Sequence, residues 1–189
     1  MGFQGRWSTA IGVGACALLV VLWSSAVGLK DSGAVVTCAS EVLYAPEDKP
    51  ADRLVALYEG ARHSIYIATY GLTYPPVVKA LVAAKKRGLD VRVITDRSKL
   101  DDRNQRAALE TLRLAGVPIK VNRHDGLMHM KQVVVDDLVN TSGSLNQTSS
   151  AALYNDERLD ILHDVASTQR AKEKFLKMWA DHARYEDWR

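Results

Sequence analysis

His129-Met130-Lys131-Gln132-Val133-Val134-Val135-Asp136 and, after six intervening residues, Gly143-Ser144-Leu145-Asn146 form the stretch whose reading decides the fold. Val133–Val135 is a continuous apolar run of strand type, Asp136-Asp137 is a turn, and Val139–Ser142 returns as a second strand. Side chains two apart on a strand share a face, so His129 and Lys131 lie together, as do Ser144 and Asn146. Pairing of the two strands through the aspartate turn brings all four to one end of the sheet. Histidine supplies a nucleophile or proton carrier, lysine a fixed positive charge, and serine and asparagine neutral donors. Such a set suits an anionic tetrahedral centre such as phosphate.

The pattern H-x-K-x4-D-x6-G-S-x-N is matched at every fixed position and resembles the signature of the phospholipase D superfamily. Ser64–Tyr70, Val78–Gly88 and Asn155-Asp156-Glu157 extend the resemblance over most of residues 40–180, toward the small exported endonucleases of that superfamily. The resemblance implies an α/β fold, a mixed β-sheet flanked by helices. It also implies a two-step reaction through a phosphohistidine, with no metal and no cofactor. His129 is then the nucleophile. Lys131, Ser144 and Asn146 hold the non-bridging oxygens, and Glu157 matches the downstream acid that orients an imidazole. Asp136 reads as a structural turn or hydrogen-bonding residue, and Gly143 as a point of close backbone approach beside the phosphate. His63, His124, His163 and His182 carry no motif and read as structural or exposed.

One phosphohistidine reaction needs two histidines, one to attack and one to protonate the leaving oxygen and activate water. This chain has one H-x-K-x4-D motif and no internal repeat. A single motif per chain implies a symmetric homodimer with the site shared across the two-fold axis.

Upstream of the motif, helices and strands alternate as in a layered α/β domain. Residues 30–50 read as a linker and a first strand at Glu41–Tyr44. Helices follow at Pro50–Arg62, Pro75–Arg87 and Asp101–Ala115, with strands at Ser64–Tyr70, Val91–Ile94 and Pro118–Val121 between them. Downstream, a short helix to Leu153, a strand at Leu159–Leu162 and a terminal helix at Thr168–Arg184 complete the pattern.

The first 29 residues stand apart. Arg6 precedes an uncharged stretch from Trp7 to Leu29, with small residues at Ser24, Ser25, Ala26 and Gly28. This is the layout of a signal peptide, and the run is also long enough for a membrane anchor; either places the catalytic domain, residues 30–189, outside the cytoplasm, in the periplasm or secreted. About 160 residues then remain, enough for one core of ordinary size. Of the two cysteines, Cys16 lies in the apolar run, and Cys38 is left without an internal partner if that run is removed.

The net charge of +3 neither identifies nor excludes a polyanionic partner. Motif and fold give a reaction class, whereas the surrounding groove sets the substrate. Small size and the endonuclease resemblance favour nucleic acid, with Lys85-Lys86-Arg87, Arg92, Arg97, Lys99 and Arg103 as a backbone track. The alternatives are a phospholipid diesterase, with Trp179, Tyr185 and Trp188 at a lipid interface, and a silent nucleic-acid-binding module.

Overall fold

The computed structural model describes residues 39–189; the expected export segment and Cys38 lie outside the described residues. An eight-stranded open sheet runs through the domain: β1 (Ser40–Ala45), β2 (Ser64–Thr69), β3 (Asp90–Thr95), β4 (Ile119–Asn122), β5 (Lys131–Val135), β6 (Val139–Gly143), β7 (Glu157–Leu162) and β8 (Tyr185–Asp187). Its spatial order is β1-β7-β6-β5-β2-β3-β4-β8. Only β2-β3 and β3-β4 are parallel, which makes the sheet mixed as the resemblance implied. Parallel neighbours need crossover connections. Helices α2 (Pro75–Lys86) and α3 (Arg103–Leu114) provide them, the latter after a short 3-10 turn at Arg97–Asp101.

Both faces of the sheet are covered, which explains the unbroken burial of all six β2 residues. On one face Ile65, Ile67, Val91, Val93, Val133 and Val135 pack beneath α1 (Pro50–Gly60), α2 and α3, whose Leu54, Leu81, Leu109 and Leu112 are fully enclosed. On the other, Tyr66, Ala68, Ile94 and Val134 meet α5 (Val165–Ala180) through Ala171, Phe175 and Met178. The rings of Tyr66, Phe175 and Trp179 stack in series, with centroids 5.1 and 5.7 Å apart. A short helix, α4 (Ser149–Leu153), links the motif to β7.

The expected helices and strands are present. The first helix stops at Gly60 rather than Arg62, and Asp101 closes a 3-10 turn before α3; the largest departure is at the C terminus, where α5 runs from Val165 to Ala180 rather than from Thr168 to Arg184. Asp181 caps the end, and Tyr185–Asp187 then form an edge strand on β4. Tyr185 is buried in the α5-side core, whereas Trp188 and Trp179 pack against the two cores and remain half-exposed.

Candidate active site

The β5–β6 hairpin forms as the sequence reading requires: Val134 pairs with Asn140 and Val135 with Val139. Asp136 and Asp137 both take left-handed backbone angles, φ 52° and 60°. Aspartate tolerates this region better than most residues. The Asp136 carboxylate also accepts from the backbone N–H groups of Arg62 (2.7 Å), His63 (2.7 Å) and Ser64 (2.9 Å), clamping the start of β2. Burial pushes this carboxyl up, but the three backbone bonds, helped by the nearby His63, outweigh it and hold it below the usual aspartate value. Asp136 therefore sits at the hairpin turn, the opposite end of β5 from His129.

At that other end, His129 is exposed and enters β5 from a loop held in two places. The buried Asp96 carboxylate accepts from the Met128 N–H and the Ser98 N–H. Asn122 accepts from the Arg97 N–H (2.8 Å) and donates to the Gly126 carbonyl (3.0 Å). Lys131 Nζ lies 3.1 Å from His129 Nδ1 and 3.2 Å from Nε2, and donates to the His129 carbonyl at 2.8 Å. An ammonium only donates, so the ring nitrogen facing it presents a lone pair. Partial burial pulls the Lys131 ammonium below its ordinary pKa, with the Glu157 carboxylate opposing that shift. Lys131 and Glu157 thus feel one another across β5, β6 and β7.

The Asn146 side reaches the same end through the chain beyond β6. The Gln147 N–H donates to the Gly71 carbonyl (3.0 Å), and the Thr73 and Tyr74 N–H groups donate to the Gln147 carbonyl (both 2.9 Å). This lays Asn146 against Gly71: a Cβ at Gly71 would stand 3.8 Å from that of Asn146 and 2.8 Å from Thr148 Cγ2. The Asn146 Oδ1 atom is enclosed and has no hydrogen-bond partner among the described residues. Ser144 donates to Glu157 Oε2 and accepts from the Arg158 N–H at 3.1 Å, while Asn155 donates to Glu157 Oε1 at 3.1 Å. Within one chain, then, Glu157 is held by Ser144 and Asn155, not by His129.

Gly143 has φ +137°, and a Cβ there would stand 2.1 Å from the Arg158 carbonyl oxygen. The close approach anticipated at this glycine is thus to the β7 backbone; Gly143 lies opposite Leu159 in the β6–β7 ladder. It brings the Ser144 and Leu145 N–H groups onto that one carbonyl, at 3.0 and 3.4 Å.

Two contributors escaped the sequence reading. Tyr70 stands immediately after β2, its N–H bonded to the Met130 carbonyl at 3.0 Å and its ring centroid 4.7 Å from that of His129. Lys99 and Lys131 place their ammonium groups 4.6 and 5.3 Å from the Tyr70 ring. Gln105 is buried on α3. It accepts from the Leu72 N–H (2.7 Å) and donates to Thr95 (3.0 Å), whose hydroxyl reaches the Tyr70 carbonyl (3.3 Å). The tyrosine lay in a strand-like run and the glutamine on a polar helix, so only tertiary placement reveals them.

The proposed basic track is not continuous. Arg87 donates to the Tyr58 and Ala61 carbonyls, Arg92 pairs with Asp90, and Arg97 pairs with Glu186. Helix α2 begins beside Gln147 and ends beside the start of β3, so Lys85-Lys86-Arg87 lies at the end of the sheet remote from His129. Of that set, Lys99 reaches the site.

A family model described as cardiolipin synthase, PLD-like domain, matches residues 54–179. The chain is 28% identical over 194 residues to the mitochondrial cardiolipin hydrolase of Xenopus tropicalis, covering 94% of this chain and 91% of that protein. It is 31% identical over 119 residues to the phospholipase D of Rickettsia conorii, covering 63% of this chain and 56% of that protein. Among solved structures, the phospholipase D family member Nuc from Salmonella typhimurium superposes with a TM-score of 0.72 at 31% identity, over 80% of this chain and 99% of that one. NucT from Helicobacter pylori shares the fold, with a TM-score of 0.67 at 22% identity over 75% and 96% of the two chains. Motif, sheet order and these matches agree: the chain belongs to the phospholipase D superfamily and carries one PLD-like phosphodiesterase domain.

Proposed function

We propose that the protein is an exported, metal-independent nuclease, which hydrolyses nucleic-acid phosphodiesters through a phosphohistidine on His129. The observation that carries this reading is the His129–Lys131 pair. An exposed imidazole and an ammonium stand within 3.2 Å of one another, so the candidate nucleophile and the charge that would neutralise a phosphate share one point of the surface. Lys131 neutralises the non-bridging oxygens and the Asn146 amide N–H donates to them, while Ser144, whose hydroxyl donates to Glu157, joins them only by turning away from that carboxylate. The enclosed amide oxygen of Asn146, without a partner among the described residues, is an acceptor and fits a donor supplied by a second subunit rather than by the phosphate.

One chain supplies one such histidine. The second, which protonates the leaving oxygen and then activates water, comes from the same residue of a two-fold-related subunit. Nucleic acid is favoured by the endonuclease resemblance, and the burial of Tyr185, with Trp179 and Trp188 half-buried against the cores, weakens the aromatic interface a lipid reading relied on. A phospholipid diester is the second reading. It is favoured by the similarity to the Xenopus cardiolipin hydrolase along 94% of the chain.

The two separate in one experiment. Full-length protein in mild detergent, wild type and His129→Asn, is incubated in excess EDTA with plasmid, single-stranded DNA or cardiolipin vesicles. Cleavage of DNA by wild type alone is the expected result. Release of phosphatidic acid with DNA left intact transfers the assignment to lipid.

A further inference from the structure

On the α5 side of the nucleophile a cleft of about 500 Å³ opens, and its lining includes His129, Lys131, Gly143, Ser167, Arg170 and Lys174. Ser167, Arg170 and Lys174 recur three and four apart, which places them on one stripe of α5. Arg170 and Lys174 are therefore one turn, about 6 Å of helix rise, apart. Both are exposed, and neither has an ion pair or hydrogen bond among the described residues, whereas the neighbouring Lys172 is taken by Asp137. Three basic side chains line the cleft, and no carboxylate does. The larger groove on the other side of the site, about 960 Å³, contains Asp102 beside Lys79 and Lys99.

Free cations without a neutralising acid form a positive well next to the reacting centre. A mono-anionic diester is already matched by Lys131, so the two additional charges call for additional phosphate. We propose that Arg170 and Lys174 form a second phosphate subsite, holding the backbone phosphate next to the scissile one in a bound nucleic-acid strand. The lining also carries the short polar side chains of Asn140, Ser142 and Ser167, which suit a sugar-phosphate backbone, beside the apolar Met130, Leu162 and Ala171. This subsite rests on the nuclease reading and adds to it a direction, with the strand continuing along α5.

The test compares full-length wild type, Arg170→Gln/Lys174→Gln and the charge-preserving swap Arg170→Lys/Lys174→Arg. The substrates are a short single-stranded oligonucleotide, with several phosphates, and bis(p-nitrophenyl) phosphate, with one. In the glutamine pair the oligonucleotide KM rises about tenfold with kcat nearly kept, and the one-phosphate substrate is unaffected. Loss of that one neutralised phosphate also flattens the dependence of log kcat/KM on log salt by about 0.7 for a single strand. The swap retains wild-type behaviour on both substrates. Equal losses on both substrates, or no loss on either, overturn the subsite while leaving the nuclease reading in place. Wild type that hydrolyses the one-phosphate compound but never the oligonucleotide overturns the nuclease reading, and the subsite with it.

Discussion

Two residues of one motif do opposite jobs at opposite ends of the same strand. His129 is exposed beside Lys131, whereas Asp136 is spent on three backbone N–H groups at the hairpin turn. Their consequences under mutation separate accordingly. Lys131→Met removes the charge that the proposed reaction sets against the phosphate and should lower kcat by about 10²–10³, with the melting temperature nearly unchanged. Asp136→Asn should instead cost stability, about 1–3 kcal/mol in urea unfolding at neutral pH, because a charged acceptor of several bonds is lost. The pH dependence has a definite sign. The folded-state pKa of Asp136 is depressed, so its contribution is present above the ordinary aspartate range and disappears as pH falls through the folded value. The stability gap between wild type and Asp136→Asn should therefore be full near neutrality and close in acid, below about pH 4. A gap that widens in acid contradicts the assignment.

Elements, rather than single side chains, decide whether Ser144 meets Glu157. Gly143 lets β6 close onto β7 at a point where no Cβ fits, 2.1 Å from the Arg158 carbonyl oxygen. Gly143→Ala should cost on the order of 3 kcal/mol and reduce activity more than Ser144→Ala does, measured by unfolding and turnover together. Much of this architecture was legible beforehand. Val133–Val135, the aspartate pair and Val139–Ser142 read as a hairpin from apolar runs and turn residues alone, and the meeting of His129 with Lys131 followed from a period of two. What stayed illegible depends on contacts between distant segments. Strand β8 is three residues long, and its Tyr185 fits a continued helix until the pairing with β4 is seen. Gln105, Asp96 and Tyr70 position the site through bonds to residues far from them in sequence, which no local pattern encodes. Arg87 and Arg92 looked like a substrate track because charge along a sequence says nothing about which carbonyl or carboxylate it meets in the fold.

At the scale of the whole molecule the account requires two chains. If each site needs both copies of His129, co-expressed mixtures of wild type and His129→Asn should lose activity as the square of the wild-type fraction. A linear loss means that one chain suffices, and the second proton carrier must then be sought within it. The most direct test of the central claim needs no choice of natural substrate. Full-length wild type and His129→Asn are assayed on bis(p-nitrophenyl) phosphate in excess EDTA, with both proteins shown to be equally folded. The account predicts steady release of nitrophenol by wild type and a loss of about 10³-fold or more in the variant, as expected when a covalent nucleophile is removed. Comparable turnover by the two proteins, or activity of wild type that vanishes with the chelator, would contradict it.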